Sequence, residues 1–530
     1  MHDDGTGGVI RRVWAIVIND VRVRFRRPST AVLFLLLSAC AYMWIPAPST
    51  GRALLQINGQ RALYNSAAIG MGTASLATIF IGLVGFYVIS NALRRDVQTR
   101  CGFVLASTGM RSGEYLFGKF AGNLAFLITF IAGFMGTSMI MQLVRGEAPL
   151  EPFVFIAQYA VLVVPGMVVV SALAVLFESI PWLSGRFGDV AYFFVWVMSI
   201  GFVASRTDMH SAQPLGWIGI FDISGTAYLF QSLRGVLHTN ELSIGSSNFD
   251  PSKGVFVFGG LPMAFRLLLP RIGTCLLAAP ILGVASLFFH RFDPARVRVT
   301  EKAKRNWIGR INALAKPFAR MMFALAPSGG RASFARSIVL DAMLTISAMP
   351  IAFIAIVIFN VLSMVMPLAR MTSMLAIVFA ALAITIAEVA CREVRAGTTA
   401  LVRSAPHLRE RFAVWKLAAT LLIGVAYFAV PIVRVAIGRP SMLAPLLVAI
   451  VFVCAAATML GIVSANPKAF IVAFLLFWYI AMNDKGATPA LDYAGLHGVA
   501  TPFVIAIYAA LAIAFAAAAA AFHALTLRRT

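Results

Sequence analysis

Long apolar runs separated by short, arginine-rich polar segments dominate the chain. A helix needs about 20 mostly apolar residues to cross a bilayer. Twelve stretches read as such helices: 30–46, 66–92, 119–143, 153–177, 189–205 and 267–289, then 347–367, 371–391, 413–436, 442–463, 467–482 and 500–525. The runs 30–46, 189–205 and 467–482 are short, as tilted or partly re-entrant segments are. Between the sixth and seventh runs the pattern changes. Trp307, Ile311, Leu314, Phe318, Met321 and Leu325 recur at spacings of 4, 3, 4, 3 and 4, which places them on one helical face. Arg305, Arg310, Lys316 and Arg320 supply a basic complement. Such a helix lies in a headgroup layer, kinked or split at Pro317. Residues 11–27 read the same way, just before the first run.

The chain also repeats itself. Arg95-Asp96-Val97 aligns with Arg392-Glu393-Val394, and no gap is needed through Lys119 and Lys416. Within that block Val104-Leu105 meets Leu401-Val402, Ser107 meets Ser404, and Tyr115 meets Phe412. Asp20 and Pro28 precede the first run as Asp341 and Pro350 precede the seventh. Both blocks follow the second run of a six-run unit and enter its third. An even number of spans per unit gives both units the same orientation, related by an axis along the membrane normal. The expected fold is therefore an all-α polytopic membrane protein. It has twelve transmembrane helices in two parallel six-helix repeats, with amphipathic interfacial helices and short coupling helices. The expected divisions are 1–290, a basic linker 291–336, and 337–530. External loops break the symmetry, since 206–266 is far longer than its counterpart 483–499. The long loop carries Trp217, Ile220, Phe221, Tyr228 and Phe230, and reads either as an interface-dipping segment or as an ordinary folded loop.

Composition agrees with the pattern: 60% of residues are hydrophobic and 12% charged, against 45–50% and about 25% in soluble proteins. A soluble enzyme, a disordered chain and a fibrous protein are excluded. The net charge of +23 does not form the aromatic-interleaved soluble patch of a nucleic-acid binder. With both termini in the cytoplasm, 32 of the 44 Lys and Arg residues fall on the inner side, as the positive-inside rule requires. The five cysteines imply no disulfide framework. Leu37-Ser38-Ala39-Cys40 resembles a lipoprotein cleavage box, but Ala41, Tyr42, Met43 and Trp44 continue the apolar run as an uncleaved span.

Catalytic and metal patterns are missing. There is no His-Glu-x-x-His, Cys-x-x-Cys or Gly-x-Ser-x-Gly. Gly113 to Lys119 fits G-x-x-x-x-G-K, yet Phe120 stands where Ser or Thr would bind Mg²⁺. No strand precedes it, and the segment leads into a span. The chain carries no ATPase of its own. Glu388 reads as an interfacial charge near Arg392 at the end of the eighth run.

The repeated block resembles the cytosolic segment of ABC-2-type exporter permeases, whose pattern is an Arg-acid pair, an "LL-x-S-x-P" run and a "yl-x-GK" entry into the third span. The first half shows Arg95-Asp96, Phe103 to Thr108, and Glu114-Tyr115-Leu116-Phe117-Gly118-Lys119. The second shows Arg392-Glu393, Leu401 to Pro406, and Lys416. Gly109 stands where proline is usual and Pro406 restores it, while Trp415 replaces the glycine found at Gly118. The resemblance implies the permease subunit of an ATP-driven exporter in the bacterial cytoplasmic (inner) membrane. Its partner would be a separate nucleotide-binding ATPase in two copies, with ATP and Mg²⁺ on that partner. Arg95, Asp96, Ser107, Glu114, Gly118 and Lys119, with Arg392, Glu393, Ser404, Pro406 and Lys416, would couple to it. The resemblance also implies an amphipathic helix before span one and partly re-entrant helices between spans five and six. Apolar spans suit a lipid-like, amphipathic or drug-like substrate. The competing class is a secondary transporter of the 6+6 facilitator type, disfavoured by the long segment between spans two and three and by few ionisable residues deep in the spans.

Overall fold

The computed structural model describes residues 6–26, 28–99, 101–181, 183, 185–206, 216–237, 242–262, 265–289, 334–484, 486 and 488–528. The described residues are 79% helical, and the chain divides into two compact units between Glu301 and Lys302. That division falls in a stretch outside the described residues, as do Trp307, Ile311, Leu314 and Phe318 of the expected linker helix.

In the first unit α1 (Thr6–Phe25) leads into α2 (Pro28–Trp44). After a small hairpin come α3 (Ser66–Ile89), short α4 (Ala92–Gln98) and α5 (Cys101–Ala106), and the long α6 (Ser112–Arg145). Then follow α7 (Pro152–Leu162), α8 (Val164–Ser179), α9 (Arg186–Arg206), α10 (Thr226–Leu237), α11 (Phe265–Leu276) and α12 (Ala278–Phe288). The second unit runs α13 (Phe334–Ala348), α14 (Pro350–Val365), α15 (Leu368–Ile386), and short α16 (Arg392–Ala396), α17 (Thr399–Arg403) and α18 (Pro406–Glu410). It ends with α19 (Phe412–Gly438), α20 (Leu443–Ser464), α21 (Pro467–Asn483) and α22 (Pro502–Arg528).

Every apolar run contains helix, but the helices differ widely in length. Among the described residues six helices are long and apolar enough to cross a membrane alone, and up to eight if each of two bent pairs counts as one span. Leu33–Trp44, Gly188–Gly201, Arg370–Ile386 and Pro467–Met482 are apolar but shorter. Prolines and turns set these limits. Pro350 lacks the N–H needed to continue α13, so the expected run 347–367 straddles a 98° bend. The run 371–391 stops being helical after Ile386, and Glu388 lies in the turn beyond, paired with Arg395. α7 and α8 meet at a 42° bend beside Pro165. Large apolar side chains point outward from the helices, including Phe153 (84% exposed), Val365 (83%) and Phe503 (73%). Water does not tolerate that pattern over so many turns, whereas lipid does. This is a membrane protein.

A four-stranded sheet sits at one end of the first unit, in the order β3-β1-β2-β4. β1 (Arg52–Ile57) and β2 (Gln60–Ala62) form a hairpin, and β3 (Leu242–Asn248) and β4 (Val255–Phe256) join its two edges. Thus residues 242–248 and 255–256 of the long loop 206–266 pair with the hairpin. Tyr228 is buried, its hydroxyl donating to Pro262 O at 3.2 Å, while Trp217 is 72% exposed. Arg61 donates to both oxygens of Glu147 at 2.6 and 2.7 Å, and this bond holds the Glu147 carboxyl below its ordinary range.

Candidate functional site

At the opposite end of the first unit, four charged residues from three elements meet. Lys119, in α6, donates to both oxygens of Asp20 of α1 at 3.0 Å. It also lies 2.8 Å from Asp96 of α4. Arg95 donates to Asp20 at 2.6 Å, and the Tyr115 hydroxyl donates to Asp96 at 2.8 Å. The aligned residues of the second unit meet in the same way. Lys416 of α19 donates to Asp341 of α13 at 2.9 Å and to Glu393 of α16 at 2.5 Å, and Arg392 donates to Asp341 at 2.8 Å.

Each cluster holds two positive and two negative groups. Lys119 is 3% exposed and Lys416 0%. An unpaired ammonium at such depth costs several kcal/mol, so each lysine can be buried only because two carboxylates face it. Ring faces complete the surroundings, with Lys119 5.5 Å from the Tyr115 centroid and Lys416 4.0 Å from that of Trp415.

Local sequence explains how the parts meet. Asn91 takes a left-handed φ of 80° and starts α4, whose first amides are capped by a carboxylate from α8. Glu178 accepts from the N–H groups of Asn91, Ala92 and Leu93 at 2.5, 3.1 and 2.6 Å, where negative charge also suits the helix dipole. α1 seats on α6 over glycines. A Cβ at Gly118 would come within 2.9 Å of Ile16, and one at Gly122 within 3.4 Å of Asp20. In the second unit the place of Gly118 is taken by Trp415, whose indole N–H donates to Ser337 O of α13 at 3.0 Å.

The residues expected to couple to an ATPase therefore separate into two sets. Arg95, Asp96, Lys119, Arg392, Glu393 and Lys416 are drawn into the clusters, and Gly118 is covered by Ile16. Glu114 pairs with Arg12 at 3.0 Å. Ser107 and Ser404 stay exposed, each donating 2.7 Å back to the carbonyl three residues earlier. Those carbonyls belong to Val104 and Leu401, which are 67% and 72% exposed at aligned positions. Pro406 opens α18.

Two further paired devices have no precursor in the aligned block. At the far end of α6, Arg145 donates to Tyr42 O at 3.1 Å and also to Ile45 O, capping the end of α2. Arg434 of α19 does the same for α14, through Ser363 O and, at 2.6 Å, Met366 O. A cation at a helix C-terminus meets both its unsatisfied carbonyls and its dipole. The second device lies between the fifth and sixth apolar helices. Asp222-Ile-Ser-Gly225 and Asp492-Tyr-Ala-Gly495 each follow a 3₁₀ turn. The aspartates are 1% and 3% exposed, and the glycines have φ of 73° and 67°. Asp222 accepts from Tyr228 N at 2.9 Å, and Asp492 from Val499 N at 3.0 Å. A D-x-[AS]-G repeat was the available signal.

The first turn has an added fastening. Arg271 of α11, 2% exposed, donates to Val161 O at 3.0 Å, to Leu162 O at 2.9 Å and to Asp222 O. Pro165 has no N–H for the carbonyl four residues earlier, that of Val161, and the guanidinium supplies the missing donor. Among the described residues no group of three or more His, Cys, Asp and Glu is gathered as for a metal. Compared with known protein families, curated proteins and solved structures, the chain matches none.

Proposed function

We propose that the chain is the membrane-spanning permease subunit of an ATP-driven exporter of the ABC-2 type, made of two six-span halves with both termini in the cytoplasm of a bacterial cell. One observation carries the reading: in both units the same four charges bind the loop between the second and third apolar helices to the helix that precedes the first. A plain positive-inside anchor needs exposed charge and no such internal closure. The closure makes sense where force arrives at that loop.

In this reading one ATPase copy docks on each half, against α5 and α17. Val104 with Ser107, and Leu401 with Ser404, are the groups left open to it. ATP and Mg²⁺ reside on the partner. Displacement of α4–α5 passes through the Asp20 cluster into α1 and α6, and that of α16–α17 through the Asp341 cluster into α13 and α19, as rigid-body motion of packed helices. The arginine caps at Tyr42 and Ser363 keep α2 and α14 moving with them. The shorter helices complete the spans, and the substrate is lipid-like, amphipathic or drug-like, moved outward.

The test is purification of the tagged chain in mild detergent, followed by transport assays in vesicles. A soluble P-loop ATPase should accompany the chain at two copies. Val104→Glu with Leu401→Glu should cut its retention at least tenfold without reducing the amount of inserted chain. Recovery with no ATPase, together with full transport after ATP depletion, would return the chain to the 6+6 secondary transporters.

A further inference from the structure

The two charged clusters differ by one donor. In the first, the Tyr115 hydroxyl donates to the same Asp96 oxygen that Lys119 faces, each at 2.8 Å. The aligned residue of the second unit is Phe412. Its ring holds the matching place, 5.4 Å from the Lys416 ammonium where that of Tyr115 is 5.5 Å from Lys119, but it carries no hydroxyl. Lys416 takes one oxygen of Glu393, Oε1. The other, Oε2, is buried and accepts no hydrogen bond among the described residues. A buried carboxylate oxygen without a donor has given up hydration for nothing in return, which weakens the closure it belongs to.

A second exchange accompanies the first. Phe289, just after α12, stacks on Tyr115 with ring centroids 5.4 Å apart, and His523 of α22 stacks on Phe412 at 5.1 Å. The last apolar helix of each unit thus lays one ring on the start of the third. The Phe289 side chain has nothing to donate. That of His523 does: its Nε2 lies 2.7 Å from the Arg409 carbonyl, which can only accept. Arg409 belongs to α18, and the matching stretch of the first unit is a turn without a helix. A side-chain donor present at the root of the first loop, at Asp96, is found in the second at the exit, at Arg409. We infer that the loop of the second unit is the one built to release: α16 and α17 part from α19 at Glu393 and swing on the end that His523 holds, while Tyr115 keeps α4 and α5 closed. The inference rests on these contacts alone and stands or falls separately from the ATPase.

Amide hydrogen exchange of the full chain in mild detergent reads such local opening segment by segment. Protection over 392–403 should be about tenfold lower than over 92–106, the order of one hydrogen bond to a carboxylate. Phe412→Tyr supplies the missing hydroxyl and should raise protection over 392–403 by about the same factor. Tyr115→Phe should lower protection over 92–106 to the level of the other loop. His523→Phe keeps the stack but removes the bond to Arg409, and should speed exchange over 406–411 without touching 92–106. Equal protection of the two loops in the unaltered chain overturns the proposal. So does a Phe412→Tyr chain that exchanges as before or melts earlier, because Glu393 then has no use for the donor. Unchanged exchange over 406–411 in His523→Phe overturns it as well, since the second loop would have no hinge there.

Discussion

Lys416 is the most demanding residue in the chain, an ammonium with no solvent contact and two carboxylates within 2.9 Å. Replacing it by Met leaves Asp341 and Glu393 facing each other in a buried site. Removal of one partner from such a cluster costs about 3–5 kcal/mol, and Lys416→Met should lower thermal stability in detergent accordingly. Adding Asp341→Asn should recover part of the loss; a double variant no better than the single would show that Lys416 acts through packing alone. Reversal of Arg95 or Arg392 to Glu should likewise weaken the fold before it disturbs a partner. Gly225→Ala makes a different demand. Its φ of 73° costs an L side chain about 1–2 kcal/mol, and the new Cβ would sit 3.1 Å from Leu162 O. The variant should melt earlier, as should Gly495→Ala, where Pro445 lies 2.8 Å away. Arg95, Asp96 and Lys119 stood out in the sequence because Arg392, Glu393 and Lys416 repeat their spacing, but as residues expected to couple to an ATPase; their closure on Asp20 and Asp341 was not legible, since those aspartates lie 99 and 75 residues from their lysines. Arg145 and Arg434 did not stand out, since they occupy different turns of α6 and α19 while capping equivalent helix ends. The paired D-x-[AS]-G turns were hidden by flanking loops of very different length.

Apolar runs located most of the long helices, because lipid-facing and core-facing positions alike must be apolar in a bilayer; α1 was legible instead from its amphipathic pattern, and α13 was not located. The runs could not locate the ends. Pro350 breaks a run that stays hydrophobic on both sides, and Ala387 to Cys391 leave the helix without becoming polar enough to announce it. The sheet was the larger omission, although Asn58-Gly59, with φ of 50° and 79°, is the dipeptide preferred in a two-residue hairpin turn. Two predictions belong to elements. Gly118→Val should lift α1 from α6, because even a Cβ would lie 2.9 Å from Ile16, whereas Gly122→Ala, at 3.4 Å from Asp20, should be nearly neutral. Proteolytic release of α1 distinguishes them. At the sheet end, Arg61 holds the Glu147 carboxyl below its ordinary value. A depressed carboxylate pKa contributes stability that is present above the unfolded pKa and lost as pH falls through the folded one. Glu147 also accepts from Tyr64 N at 3.1 Å. Protection of the Tyr64 amide in hydrogen exchange should therefore decline as pH drops below about 4, with little change between pH 6 and 8. The pair is partly exposed, so the loss should stay local and shrink in salt.

At the scale of the whole chain, each unit carries its own charged cluster. Asp20 finds Lys119 and Arg95 within the first unit, and Asp341 finds Lys416 and Arg392 within the second. The helix caps by Arg145 and Arg434 and the turns at Asp222 and Asp492 close within their own units too. A unit that meets its own desolvation costs can insert without its neighbour. Residues 1–301 and 302–530 expressed as separate chains should each reach the membrane and resist heat, and Lys416→Met should destabilise 302–530 as much alone as in the full chain. For the permease proposed above, transport should need both pieces together, because one half would offer only one of the two equivalent loops to the ATPase. Rapid degradation of 302–530 in the absence of 1–301 would show that the second unit depends on the first for its core, and the closed clusters would then be insufficient to define an independent half.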